Sequence, residues 1–357
     1  MKALVCESYS GPIGLKFKEV ENPTLSGNQI LMKIEAAGIG YVDALMVAGK
    51  YQIKPKLPYV PGSEISGTII SIGETQTNLK VGQRILATSS SGGLAEFATV
   101  DESNCVPIPD SFQFNAAAGF LVNYCTALYG FKYCGQLRQG ETVLILGASG
   151  GVGLAAIDCA KALGATVIAA ASTEEKRDAC RIAGADFVLD YEEEDWRSDV
   201  RRILGSAPLD VVYDPVGGKY AEPSLRSLGP GGRFLVVGFA SGQIPSFPAN
   251  LTLLKRCSVI GVNWGGHIAQ NPGTVKEVIS HLMGWIHDGM IKPREGRIFK
   301  LKDAPYAMQQ ILERKAIDKS YTDVQTINNL PAIYYKIELV VSDRFLHRGS
   351  RIQFAIL

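Results

Sequence analysis

Residues 147–153 read Gly-Ala-Ser-Gly-Gly-Val-Gly, a composition suited to a tight turn whose backbone N–H groups face an anion. Before it, Val143–Leu146 is a short apolar run, the pattern of a strand buried on both faces. After it, Val152, Ala155, Ala156, Cys159, Ala160 and Leu163 fall on one face of a helix that Gly164 closes. Strand, glycine turn and small-residue helix open a dinucleotide-binding unit, in which Gly150, Gly151, Val152 and Gly153 would hold a pyrophosphate. Ala148 replaces the first glycine of G-x-G-x-x-G, so the turn by itself also fits a tight strand-to-helix connection in another α/β fold.

The next strand decides which dinucleotide. Sites selective for NAD end it in Asp or Glu, which binds the ribose 2′-OH. Here Val167–Ala171 runs into Ser172 and Thr173, with no carboxylate to repel a 2′-phosphate. Lys176 and Arg177 follow on the first turn of the next helix; either they neutralise that phosphate or they form a solvated face. The reading that follows is NADPH, with Glu174 and Glu175 turned outward.

These residues need a scaffold, and the flanking sequence supplies one. A helix over Glu174–Ala183 and strands at Phe187–Leu189, Val211–Tyr213, Arg233–Val237 and Cys257–Val262 continue the βα alternation of a parallel, doubly wound sheet. Residues 1 to about 120 differ. Short strand candidates at Lys2–Cys6, Gln29–Ala36, Ser66–Ile72 and Gln83–Ala87, separated by Gly, Pro and Asn, suggest an antiparallel barrel. A helix over Asn115–Tyr133 marks the junction. Helix Gly273–Ile286, strand Arg297–Leu301 and helix Ala304–Lys315 follow the sixth strand.

The 357 residues suffice for two domains. A formal charge of +1 gives no footprint for nucleic acid or a membrane surface, and no apolar run approaches the roughly 18 residues of a membrane span. Seven dispersed cysteines read as reduced thiols, and the opening MKALVCESY runs straight into a strand. Both point to the cytoplasm.

Further signals are Leu57–Gly67 (LPYVPGSEISG), Gly93–Phe97 (GLAEF), Gly184–Tyr191 (GADFVLDY), Asp210–Gly218 (DVVYDPVGG), Gly229–Phe239 (GPGGRFLVVGF), Pro248–Lys255 (PANLTLLK) and Met290–Pro293. In order and spacing, over about residues 1–319, these resemble the medium-chain dehydrogenase/reductase superfamily. Within it they are most similar to the zinc-free quinone oxidoreductase branch related to zeta-crystallin. The resemblance implies an α/β protein with a doubly wound Rossmann domain (123–289) and a GroES-like β-barrel domain (1–122 with 290–319). It implies hydride transfer from NADPH to a quinone, which takes its protons from solvent without a dedicated acid–base side chain.

Lys176 and Tyr191 match the residues that relatives use at the cofactor, with Ser172 beside them, and Lys315 sits where relatives offer a cation toward the phosphate. Val216, Gly238, Phe239 and Asn263 carry over as further cofactor contacts; the alternatives are core packing for Phe239 and a buried polar role for Asn263. An acceptor pocket is implied near Tyr41, Tyr51, Tyr124 and Thr126, where Tyr rings would stack on a planar quinone unless they are interior aromatics. Relatives also form homodimers through the strand matching Cys257–Val262.

Departures matter as much. Zinc-dependent relatives place Cys three residues before an Asp and His before a Glu; here Gly40 precedes Asp43 and Ser63 precedes Glu64, so no metal is expected. Gly40 also replaces the Asn usual in the zinc-free branch, and Cys125 replaces a usual Gly. Two other functions stay open: reduction of an α,β-unsaturated carbonyl or enoyl thioester, and non-catalytic, crystallin-like NADPH binding. Relatives end in Gly-Lys and an apolar strand that completes the barrel. Here Asp318–Lys319 leads into Ser320–Leu357, for which an unrelated tail is preferred, leaving the barrel a strand short. The alternative is an insertion, with Lys336–Val341 as the delayed strand.

Overall fold

The structure, a computed structural model, describes residues 1–74, 76–268 and 270–324. The N-terminal strands are β1 (Lys2–Val5), β2 (Lys16–Glu19), β3 (Gln29–Ile39), β4 (Glu64–Ile72), β5 (Arg84–Thr88), β6 (Phe97–Asp101) and β7 (Cys105–Pro107). Strands β8 (Thr142–Leu146), β9 (Thr166–Ala170), β10 (Phe187–Leu189), β11 (Val211–Asp214), β12 (Arg233–Val236) and β13 (Ser258–Gly261) follow, and β14 (Arg297–Lys300) and β15 (Ser320–Asp323) end the described chain.

Strands β8 to β13 form one parallel sheet in the order β10-β9-β8-β11-β12-β13. Taken from β8 as the first, that is 3-2-1-4-5-6, the doubly wound order, whose reversal beside the first strand opens a crevice at the carboxyl ends. The apolar run of β8 serves two cores at once. Val143 and Ile145 face the helices Phe120–Leu128 and Gly151–Ala162, while Leu144 and Leu146 join Ile168, Val212 and Phe234 on the other face. Period-two alternation inside a continuous apolar run is what two covered faces require.

The second sheet runs β14-β15-β3-β4-β5-β7, with β6 on β3, and encloses Ile30, Met32, Ile34, Ile65, Ile69 and Ile85. Here the structure corrects the reading of the C-terminus. Ser320–Asp323 is no tail: β15 pairs in parallel with β14 and antiparallel with β3, and Ser320, Tyr321, Thr322 and Val324 are buried. The expected apolar strand is present as SYTD, whose polar letters hid it. Asp318 takes φ of 64°, a left-handed conformation that Asp tolerates better than most residues. Lys336–Val341 lies outside the described residues. The long helix expected over Asn115–Tyr133 is also divided, into Phe114–Ala117, Phe120–Leu128 and a π-helical turn at Tyr129–Cys134.

Candidate active site

The glycine turn connects β8 to the helix Gly151–Ala162, with Gly147 at φ of 57° and Gly150 as N-cap. A Cβ on Gly153 would lie 2.5 Å from the Gly147 carbonyl oxygen and 2.6 Å from Ala148 Cα, so only glycine lets the helix approach the turn. Gly150, Gly151 and Val152 thus begin a twelve-residue helix whose first N–H groups have no intrahelical partner. Gly150 also bridges to Asp318, and the Asp318 N–H donates to the Ser149 carbonyl at 2.9 Å. The strand that closes the barrel is therefore tied directly to the turn.

At the end of β9, Lys176 Nζ lies 3.4 Å from Ser172 Oγ and donates to the Arg314 carbonyl at 2.7 Å. Arg314 Nη2 donates to the Tyr191 hydroxyl at 3.2 Å, and its guanidinium lies 5.9 Å from the centre of the Tyr220 ring. Ser172, Lys176, Tyr191 and Arg314 thus meet at one place. Burial first, and then the neighbouring Arg314 charge, hold the Lys176 ammonium below its ordinary pKa. The nearby carboxylates are engaged elsewhere, Glu175 with Arg297 and Glu192 with Lys219. Two cations held together without a carboxylate between them form a receptor for a dianion.

Sequence reasoning set Arg177 beside Lys176 and Lys315 toward the phosphate; in the structure the cation that meets Lys176 and Tyr191 is Arg314. Lys315 is exposed and pairs with Glu313 at 2.6 Å. Arg314 sits at φ of 60° just past the helix Ala304–Leu312, and its guanidinium reaches the Tyr191 hydroxyl. Arg177 is committed too, to Asp190 at 2.6 Å and Glu174 at 2.8 Å.

Across the crevice, the Val216 and Gly217 N–H groups both donate to Asp214 Oδ1 at 2.8 Å, which fixes the loop after β11. Gly238 follows β12, and its N–H reaches the Asp214 carbonyl. Phe239 is exposed, not core, and lies close enough to Gly217 that a Cβ there would meet its ring at 3.0 Å. Asn263 is likewise not a buried polar residue. It is exposed, and its Oδ1 accepts from the Gly266 N–H at the start of the helix Trp264–Ile268.

The expected acceptor residues do not behave alike. Tyr41 begins the helix Tyr41–Val47, half-buried; burial raises its phenol and the Arg314 charge opposes the rise. Tyr51 is half-buried in the following loop, and Thr126 is half-buried on the helix Phe120–Leu128. Tyr124 is interior: it stacks on Phe120 and donates to Asp158 Oδ2 at 2.6 Å, where Arg294 binds the same carboxylate through both oxygens at 3.0 Å. Its hydroxyl is thus spent on a clamp between the helix Gly151–Ala162 and the segment before β14.

Sequence reasoning assigned no role to Asp43, Glu64 and Lys319, all buried, which meet beneath Gly40. Lys319 Nζ donates to Glu64 Oε2 at 2.8 Å, and Glu64 Oε1 accepts from the Val122 N–H at 2.7 Å. Among the described residues no group of His, Cys, Asp and Glu has the arrangement of a metal site, and no helix is long and apolar enough to cross a membrane.

Comparison with known proteins agrees with this geometry. Residues 26–110 match the alcohol dehydrogenase GroES-like domain family, and residues 151–283 the zinc-binding dehydrogenase family. The chain is 35% identical over 322 residues to the quinone oxidoreductase-like protein 2 homolog of Nematostella vectensis, covering 89% of this chain and 87% of that one. It is 32% identical to the quinone oxidoreductase of Rattus norvegicus, covering 87% and 94%. Among solved structures, the quinone oxidoreductase of Thermus thermophilus, determined alone and in complex with NADPH, superposes with TM-score 0.78 at 30% identity, covering 91% and 100%. The Escherichia coli quinone oxidoreductase complexed with NADPH gives TM-score 0.82 at 27% identity, covering 90% and 100%. The chain belongs to the quinone oxidoreductase family of the medium-chain dehydrogenases/reductases.

Proposed function

We propose that the protein is an NADPH-dependent, zinc-independent reductase that passes a hydride to a quinone. The observation that carries the cofactor is the meeting of Lys176, Arg314, Ser172 and Tyr191 where an NAD-selective site would hold a carboxylate. Lys176 and Arg314 would take the 2′-phosphate, and the N–H groups of Gly150 to Gly153 the pyrophosphate, in the cradle that a Cβ on Gly153 would fill. When bound, the cofactor supplies the hydride; the protein orients it, excludes water and holds the acceptor. Val216, Gly238 and Phe239 line the crevice on the side of β11 and β12, with Asn263 beyond β13. Tyr41, Tyr51 and Thr126 present half-buried surface toward an acceptor, and Tyr124 contributes its ring alone.

Gly40 and Ser63 offer no zinc donor, which supports the zinc-independent reading. Strand β13 ends its sheet with Val259 exposed, an edge open to a second copy in a homodimer. NADPH oxidation against quinones, enones and enoyl thioesters, with and without chelator, tests the whole reading. We expect turnover with quinones, unaffected by chelator and weaker with NADH. Turnover with enoyl thioesters only, or activity lost with a stoichiometric metal, would replace it. Light scattering at micromolar concentration should give the mass of two chains.

A further inference from the structure

An anion receptor is ill served by a run of acids beside it, yet Lys176 and Arg314 have one. Tyr191, whose hydroxyl accepts from Arg314, is followed by Glu192, Glu193, Glu194 and Asp195, all four exposed. Among them Glu192 acts on both cations. Burial and then the Arg314 charge lower the Lys176 ammonium, and Glu175 and Glu192 oppose them. A carboxylate free to swing onto either cation would take the place of an arriving phosphate and repel it.

Glu192 is not free. Its Oε1 accepts from the Tyr220 hydroxyl, and its Oε2 from Lys219 Nζ at 3.0 Å. Burial works to raise the Glu192 carboxyl, but these two hydrogen bonds, with the Lys219 and Arg314 charges, outweigh it and hold the group below its ordinary pKa. Both donors belong to one turn, Gly218–Tyr220, just past the loop that Asp214 fixes after β11. They differ in kind. Lys219 is exposed, and an exposed ion pair is weak and screened. Tyr220 is buried, its ring centre 4.5 Å from that of Tyr191 and 5.9 Å from the Arg314 guanidinium. Packing therefore fixes where the Tyr220 hydroxyl points, and the hydroxyl fixes where the Glu192 side chain ends.

We propose that Tyr220 is a specificity-determining positioning residue: by holding the Glu192 carboxylate off Lys176 and Arg314, it keeps their receptor open to a 2′-phosphate. This rests on the NADPH reading above. The phosphate then meets two cations whose neighbouring carboxylate already has its hydrogen bonds. With the Tyr220 hydroxyl removed, Glu192 turns to Arg314 and must be displaced before the phosphate binds. A nucleotide without that phosphate meets no such competitor and is indifferent to the change.

Calorimetric titration of the full chain with adenosine 2′,5′-bisphosphate and with AMP, at low and at high salt, tests this. Tyr220→Phe keeps the ring and removes only the donor; Glu192→Gln removes the competing charge. Tyr220→Phe should weaken the bisphosphate about 3- to 10-fold at low salt and less at high salt, and leave AMP within about twofold. Glu192→Gln alone should bind the bisphosphate at least as tightly as wild type does. Added to Tyr220→Phe, it should restore bisphosphate binding to its own level, which it could not do had the fold merely loosened. A loss that persists in the Glu192→Gln background, or that falls equally on both ligands, would overturn the proposal, as would no loss at all. Wild-type protein that binds the bisphosphate no better than AMP would instead overturn the NADPH reading, and this inference with it.

Discussion

Lys176 is half-buried and Arg314 exposed, neither in an ion pair with a carboxylate among the described residues, whereas Lys319 is buried against Glu64 with Asp43 close by. The first pair is a surface waiting for an anion: solvent screens the repulsion, so leaving it unfilled costs little. The second is a sealed group in which every charge depends on another, because a buried ion without its partner is expensive. In the proposed reading, cofactor preference would thus rest on the arrangement that the protein can leave incomplete.

The largest effect should come from breaking the sealed group. Lys319→Met leaves Glu64 buried and unpaired, and should lower stability by about 3–5 kcal/mol in denaturant melts. Adding Glu64→Gln should restore most of that, since the amide oxygen can still accept from the Val122 N–H. If the single and double variants melt alike, the pair is not sealed and the contrast fails.

Next in size is a pH effect. Burial raises Asp43 to about 6 in the folded chain, above the roughly 3.9 of an unfolded Asp. The folded state therefore binds more protons in that interval, and the stability this contributes is complete below about pH 4 and lost as pH rises through about 6. Across that interval the contribution amounts to about 2–3 kcal/mol. The difference in stability between wild type and Asp43→Asn, measured across that window, should carry this slope and no other. A flat difference would mean that Asp43 does not titrate there.

Smaller effects are expected at the open pair. Lys176→Ala and Arg314→Ala should each weaken NADPH binding by about 1–2 kcal/mol, leave NADH nearly unchanged and leave melting temperature within error. Rising salt should erode the same preference. Equal losses for both cofactors would make these cations structural.

How far the sequence could reach follows from the same contrast. The doubly wound sheet was legible because its apolar runs and glycine turn are local patterns, and β8 to β13 fall within a residue or two of the expected strands. Strand β15 was not, because Ser-Tyr-Thr-Asp is buried by its neighbours β14 and β3 and carries no apolar signature of its own. The open pair was half legible: Lys176 follows from its distance past the glycines, but Arg314 reaches the site from 138 residues away. The Lys319–Glu64 bond spans 255 residues, and no periodicity announces a contact of that range. Asp43 and Glu64 stood in plain view beside Gly40 and Ser63, yet only the fold brings Lys319 between them.

The smallest expected effect is the most discriminating between neighbours in the chain. Lys315 and Arg314 are adjacent cations after one helix, and the resemblance to relatives points to Lys315 for the phosphate. In the structure Lys315 is exposed to solvent against Glu313, while Arg314, in a left-handed conformation, donates to the Tyr191 hydroxyl and accepts from the Lys176 ammonium through its carbonyl. An exposed pair of this kind contributes little to stability and cannot hold a ligand it does not face. Lys315→Ala should therefore leave Kd for NADPH and for NADH unchanged within about twofold, at any salt concentration. Isothermal titration of Lys315→Ala beside Arg314→Ala decides the matter. Should Lys315→Ala instead lose NADPH affinity selectively while Arg314→Ala does not, the inward turn at residue 314 is wrong and the second cation of the open pair is its neighbour.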